Sequence, residues 1–127
     1  MLRFATRFPR VNRALLAGCA ILFAVGAVNH LVLATRGEGN VNRHWAFVAI
    51  DLIAAVLVVW APRWAIWPML VLAAQQTWSH GNDLVRDGDL PSLGVVVFFP
   101  IVITALVVDR ARRTADRTES PRAEHRG

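Results

Sequence analysis

The chain of 127 residues contains no lysine and a single cysteine. The lone cysteine, Cys19, excludes an internal disulfide and says nothing direct about redox compartment. Without lysine, all 14 basic side chains other than histidine are arginines. The chain also has no glycine-rich phosphate loop, no GxSxG, no CxxC and no pair of neighbouring carboxylates in its apolar stretches. Those absences exclude the nucleotide, serine-hydrolase and dithiol chemistries that such motifs carry.

What fills the sequence is apolar: 55% of the residues are hydrophobic and the mean hydropathy is +0.42. That leaves too little polar sequence to coat a soluble globule, while both ends are charged, so lipid is the expected solvent of the middle. Four apolar segments run at about residues 14–34, 45–61, 64–79 and 92–108. Each is near the ~20 residues that cross a ~30 Å hydrocarbon core. In lipid every backbone N–H and C=O needs an internal partner, and these runs are long and uninterrupted rather than short and alternating, which points to helices. The expected fold is all-α, an integral-membrane antiparallel four-helix bundle over residues 14–110. A basic lead-in (1–13) precedes it, and an arginine-rich tail (111–127) with few large apolar residues is expected to be disordered.

The arginines set the expected orientation. Arg3, Arg7, Arg10 and Arg13 precede the first segment, Arg63 lies in the turn between the second and third, and six follow the fourth. Only Arg36, Arg43 and Arg86 fall on the other side. By the positive-inside rule both termini are expected in the cytoplasm. The five tryptophans agree: Trp45 and Trp78 lie at the outer ends of their segments, and Trp60, Trp64 and Trp67 surround the inner turn. A pI of about 11.4 raises nucleic acid as a partner. The arginines, however, flank the apolar segments as topology signals and contacts to the lipid bilayer do, and no nucleic-acid role is expected. Leu16-Ala17-Gly18-Cys19 matches a lipoprotein cleavage box, but most of the apolar run follows the cysteine, so the first segment is expected to be retained.

Within this frame, Ala17, Ala20, Ala24 and Ala27 repeat at 3-4-3 spacing and form a candidate helix-packing face. The turn Pro62-Arg63 is short enough to pack the second and third segments as a hairpin. Pro91-Ser92 reads as the start of the fourth helix, and Pro100 falls in its middle.

Asp51 is the residue of most chemical interest. An ionised carboxylate at membrane depth costs at least ~2.5 kcal/mol and is usually paired, protonated or functional. His44 shares its face, Gln75 and Gln76 lie at a similar height, Gln76 shares a face with His80, and Asn29 and His30 reach the same outer half. Together Asn29, His30, His44, Asp51, Gln75, Gln76 and His80 make a candidate pocket, with Asn82 and Asp83 at its mouth. A structural alternative has Asp51 bonding a glutamine and fixing helix register. His30, His44 and His80 are candidate ligands for copper or zinc, although no HxxxH or HxxE spacing joins them. A haem between His44 and His80, or a quinone headgroup, is a further possibility.

Gly18, Phe23, Gly26 and His30, in the run from Gly18 to Leu31, resemble the opening of DoxX-like proteins, and Ala61-Pro62-Arg63-Trp64 is similar to their proline-basic turn. The resemblance covers about residues 15–110. It implies a small four-helix bacterial inner-membrane subunit associated with redox or oxidative-stress systems, with His30 facing the pocket. The expected function is a small-ligand-binding or redox-associated accessory subunit. Alternatives are a membrane enzyme or electron carrier, in which Asp51 relays protons, and a purely structural subunit packing against a membrane partner or another copy of itself.

Overall fold

A computed structural model of the protein describes residues 9–124, and the side chains of residues 10–116. It is all-helical: α1 (Pro9–Arg36), α2 (Val41–Trp60), α3 (Ile66–Asp87) and α4 (Leu90–Glu124). Three of the four are long and apolar enough to cross a membrane, over Arg10–Arg36, Val41–Trp60 and Leu90–Asp116. The 20 residues of α2 alone rise about 30 Å.

The third segment departs from the expected span. α3 has the length, with 22 residues, but its apolar half ends at Ala74 and is followed by Gln75, Gln76, Thr77, Ser79, His80, Asn82 and Asp83. It runs through the region read as an acidic loop, because nothing stops the helical ladder before Gly88. There a left-handed glycine (φ 66°) turns its N–H back to the Leu84 carbonyl and caps the helix. Asp89 then receives the Ser92 N–H and caps α4, which starts at the next residue, Leu90. α4 passes through Pro100 and past Val108 without interruption. Its helix covers residues 111–124 of the stretch expected to be disordered, and residues 125–127 lie outside the described part. Pairs one turn apart support this extension: Arg113 Nε is 2.6 Å from the buried Asp109 carboxylate, and Arg112 is 3.8 Å from Asp116. Of the lead-in, residues 1–8 lie outside the described part and Pro9–Arg13 are already the first turns of α1.

Helix packing joins α1 to α2, α3 to α4 and, across the centre, α1 to α4. The core lies where they meet, with Leu16, Cys19 and Phe23 of α1, Val58 of α2, Met69 of α3, and Phe99 and Val102 of α4. Phe23, Phe98 and Phe99 pack edge to face, with ring centroids 5.1, 5.6 and 5.9 Å apart. At the far end Asn12 is buried and donates to the Ala105 carbonyl at 3.3 Å, tying α1 to α4.

Two packing expectations are corrected here. α2 and α3 are joined by the five residues 61–65 and make few close contacts, so Pro62-Arg63 does not produce a tight hairpin. Ala61 takes a left-handed turn (φ 45°), residues 62–65 carry the chain across, and a cavity occupies the place where an upper α2–α3 seam would lie. On α1, Ala20 and Ala27 are buried but Ala17 and Ala24 are exposed. The buried stripe runs through Leu16, Cys19, Phe23 and Ala34, and at about 100° per residue Ala17 and Ala24 fall roughly a quarter-turn off its centre. The four alanines are not a single packing face within this chain.

Much of the outside is apolar. Ile21 (63% exposed), Val71 (72%) and Trp78 (76%) are the pattern, repeated by Val25, Val28, Leu52, Ile53, Val56 and Val59.

Candidate functional site

Near the end formed by the α1–α2 loop and the α3–α4 junction, all four helices contribute to a half-open cavity of about 300 Å³. Its polar lining is Asn29 and His30 from α1, Asp51 from α2, and Gln76 and His80 from α3. The apolar lining is mostly aromatic, with Phe23, Phe47, Phe98 and Phe99. Five of the seven residues singled out in the sequence thus share one space. His44 bonds to it from the rim, and Gln75 is exposed on another side of α3. Asn82 lines a different groove, and Asp83 is exposed, so neither forms the mouth.

Asp51 is half-buried. Its position depends on Gly26: a Cβ on that glycine would lie 2.9 Å from Oδ2 of Asp51. The carboxylate therefore rests against the bare backbone of α1, a contact that only glycine permits without displacing it. Asp51 takes part in none of the ion pairs or side-chain hydrogen bonds among the described residues. In particular it does not bond Gln75 or Gln76, so the register-fixing contact weighed for it is not formed.

The histidines sit in two separate arrangements. His30 and His44 approach Nδ1 to Nδ1 at 3.0 Å. One ring must donate and the other accept, so a single proton joins them and ties the end of α1 to the start of α2. His30 also stacks on Phe47, with centroids 5.0 Å apart and planes 21° from parallel, and Arg43 lies over the same Phe47 ring at 5.5 Å. His80 instead bonds Ser92, its Nδ1 lying 3.0 Å from Oγ. The Ser92 hydroxyl has one proton and gives it to the Asp89 carboxylate, which only accepts. Ser92 Oγ consequently accepts from Nδ1–H of His80, leaving the lone pair of Nε2 as the free acceptor on that ring. This order, His80 to Ser92 to Asp89, is the reverse of a nucleophile relay. Here the hydroxyl is held by the acid and is not activated by the imidazole.

His30, His44 and His80 therefore do not converge as the metal reading required. Among the described residues no three His, Cys, Asp or Glu side chains form a group that can hold a metal ion. Nor do His44 and His80 face each other across the cavity as a haem would need, because His44 is turned to His30 and does not line it. A larger and shallower groove, about 740 Å³, runs along α3 and α4 past Thr77, Trp78 and Thr104. It contains no titratable side chain, whereas Asp51, His30 and His80 line the smaller cavity.

Sequence reasoning passed over Phe47, Phe98 and Phe99, Gly26 as a contact of Asp51, and the Asp89–Ser92 pair that orients His80. The spacing of Asp89 and Ser92 is that of a helix cap, a signal present in the sequence. The role of Phe47, Phe98 and Phe99 depends on which way α2 and α4 are rotated, which no local signal gives. No family model, curated protein or solved structure matches this chain. The likeness to DoxX-like proteins thus rests on the residues quoted for it alone.

Proposed function

We propose that this is an inner-membrane protein, an antiparallel four-helix bundle with both termini in the cytoplasm, that binds a small organic ligand in the cavity around Asp51. It acts through that site as an accessory subunit, and its likeness to DoxX-like proteins points to a redox-associated one. Membrane integration is supported by three apolar helices of spanning length and by an outer surface covered in Val, Ile and Leu that water would not tolerate over so large an area. All five tryptophans are exposed, as interfacial anchors are.

The ligand reading is carried by one observation. A carboxylate, two amides and two imidazoles face the same aromatic-lined cavity of about 300 Å³, and the carboxylate has no partner among the described residues. Polar groups at that depth are expensive, and a scaffold needing only to pack has no use for five of them around one space.

A cavity-filling variant tests the reading. Val95 lines the cavity from α4, and Val95→Phe fills part of it. Among small amphiphiles screened against the detergent-purified protein, one that binds at a hundred times its Kd stabilises the wild type by about 2.7 kcal/mol. Val95→Phe is expected to raise the melting temperature of the free protein and to lose the ligand-induced shift. A shift equal in both proteins places binding elsewhere and overturns the proposal. A screen in which nothing shifts the wild type overturns it as well.

A further inference from the structure

The charge and lining of the cavity carry the reading one step further. We propose that its ligand is a small lipophilic cation, an amine or quaternary ammonium group on an apolar body, with Asp51 as counter-ion. This rests on the cavity being a ligand site and adds the chemical class.

Asp51 is the one acidic side chain lining the cavity, and no arginine lines it. Arg43 lies over the Phe47 ring. The carboxylate is thus the single formal charge of the lining when the histidines are neutral. A neutral ligand leaves that charge uncompensated at membrane depth, whereas a cation removes the cost.

The remaining lining suits the same guest. Phe23, Phe98 and Phe99 are packed edge to face and all three line the cavity, giving it an aromatic wall. The negative face of a phenyl ring attracts a cation, most strongly out of water. His80 presents the lone pair of Nε2, since its Nδ1–H is given to Ser92, and so offers an acceptor to an ammonium N–H. Gly26 completes the arrangement by letting the carboxylate lie flat against α1 and leaving the cavity volume to the guest. The size, about 300 Å³, is at the small end for organic ligands and fits a single-ring ion.

Phenyltrimethylammonium and tert-butylbenzene have the same shape and differ in one atom and one charge, which isolates the claim. With the full chain in lipid nanodiscs, and empty nanodiscs as the blank, the cation is expected to bind at least about tenfold more tightly than the hydrocarbon. Asp51→Asn keeps the side-chain size, removes the charge and is expected to erase that preference. Phe98→Leu is expected to weaken the cation several-fold and to leave the hydrocarbon nearly unchanged, a readout that stands even if Asp51→Asn misfolds. Equal binding of both compounds, both lost in Val95→Phe, overturns the cation and leaves the cavity as a site for neutral ligands. A cation preference that survives Asp51→Asn in folded protein overturns the counter-ion role. If neither compound binds and a short-chain quinone does, the cation is overturned in favour of a hydrogen-bonded neutral guest. If none of the three binds, the ligand reading of the cavity fails together with the cation.

Discussion

Gly26 and Asp51 occupy adjoining space, and the placement of the carboxylate depends on the missing side chain of the glycine. Alanine in the middle of a helix is ordinarily more stable than glycine by about 1 kcal/mol. At Gly26 that gain is opposed, because the new methyl would sit 2.9 Å from Oδ2 and the carboxylate must swing away. Gly26→Ala is therefore expected to be neutral or destabilising in the wild type and stabilising by about 1 kcal/mol when Asp51 is alanine. The two changes should couple by about 1 kcal/mol in a double-mutant cycle of detergent unfolding midpoints. Additive effects would mean that the contact does not position Asp51. Such a contact cannot be read from a single sequence. In the sequence Gly26 is one small residue among the alanines of α1, and only the rotation of α2 against α1 brings Asp51 onto it.

The four helices differ in how much of their fate is local. α1, α2 and α4 carry enough apolar sequence to cross a bilayer alone, whereas α3 does not, because Gln75, Gln76, His80 and Asp83 occupy its second half. Two of those residues, Gln76 and His80, line the cavity, and α3 packs on α4. α3 is therefore expected to insert as a partner of α4. In a glycosylation-mapping insertion assay, α1, α2 and α4 should each insert as single segments. α3 should insert poorly alone and efficiently when followed by α4. Efficient insertion of isolated α3 would count against this dependence. The same contrast marks what was legible in advance. The existence and all-helical nature of the elements followed from long apolar runs, and α2 ends within a residue of the expected position. The far boundary of α3 did not, since its stop is a backbone cap at Gly88 and not a change in hydropathy. The hairpin expected of α2 and α3 failed for a related reason: a short turn limits how far two helices can separate but does not oblige their side chains to interlock. The cavity residues were legible as a height along the helices, through Asp51, His30, Gln76 and His80. Their pairing was not, because His30 with His44 and His80 with Ser92 depend on helix rotation.

For the molecule as a whole, the distribution of charge along the chain is the strongest constraint on how it sits in a membrane. Eleven of its 14 arginines fall at or before Arg13, in the α2–α3 turn or from Arg110 onward. The opposite end has only Arg36, Arg43 and Arg86, with Glu38, Asp83, Asp87 and Asp89 nearby. Acidic residues contribute little to orientation, and arginines within about 15–20 residues of a span contribute most, so the bias is close to four to one by relevant charges. In the proposed orientation, with both termini in the cytoplasm, the cavity opens in the outer leaflet, where a ligand can reach it from outside the cell or from the bilayer. Single cysteines introduced at exposed positions report this directly, provided Cys19, which is buried, is first replaced by serine. Glu38→Cys, in the α1–α2 loop, is expected to react with a membrane-impermeant maleimide in intact cells, and Thr114→Cys, beyond the apolar part of α4, only after the membrane is opened. The reverse pattern would put the cavity on the cytoplasmic side and make its ligand a cytoplasmic one. Labelling of both positions in intact cells would mean either an odd number of spans or a population in both orientations. Fusing a reporter to each terminus separates these, since an odd number of spans puts the two ends on opposite sides, whereas dual insertion puts both ends on both.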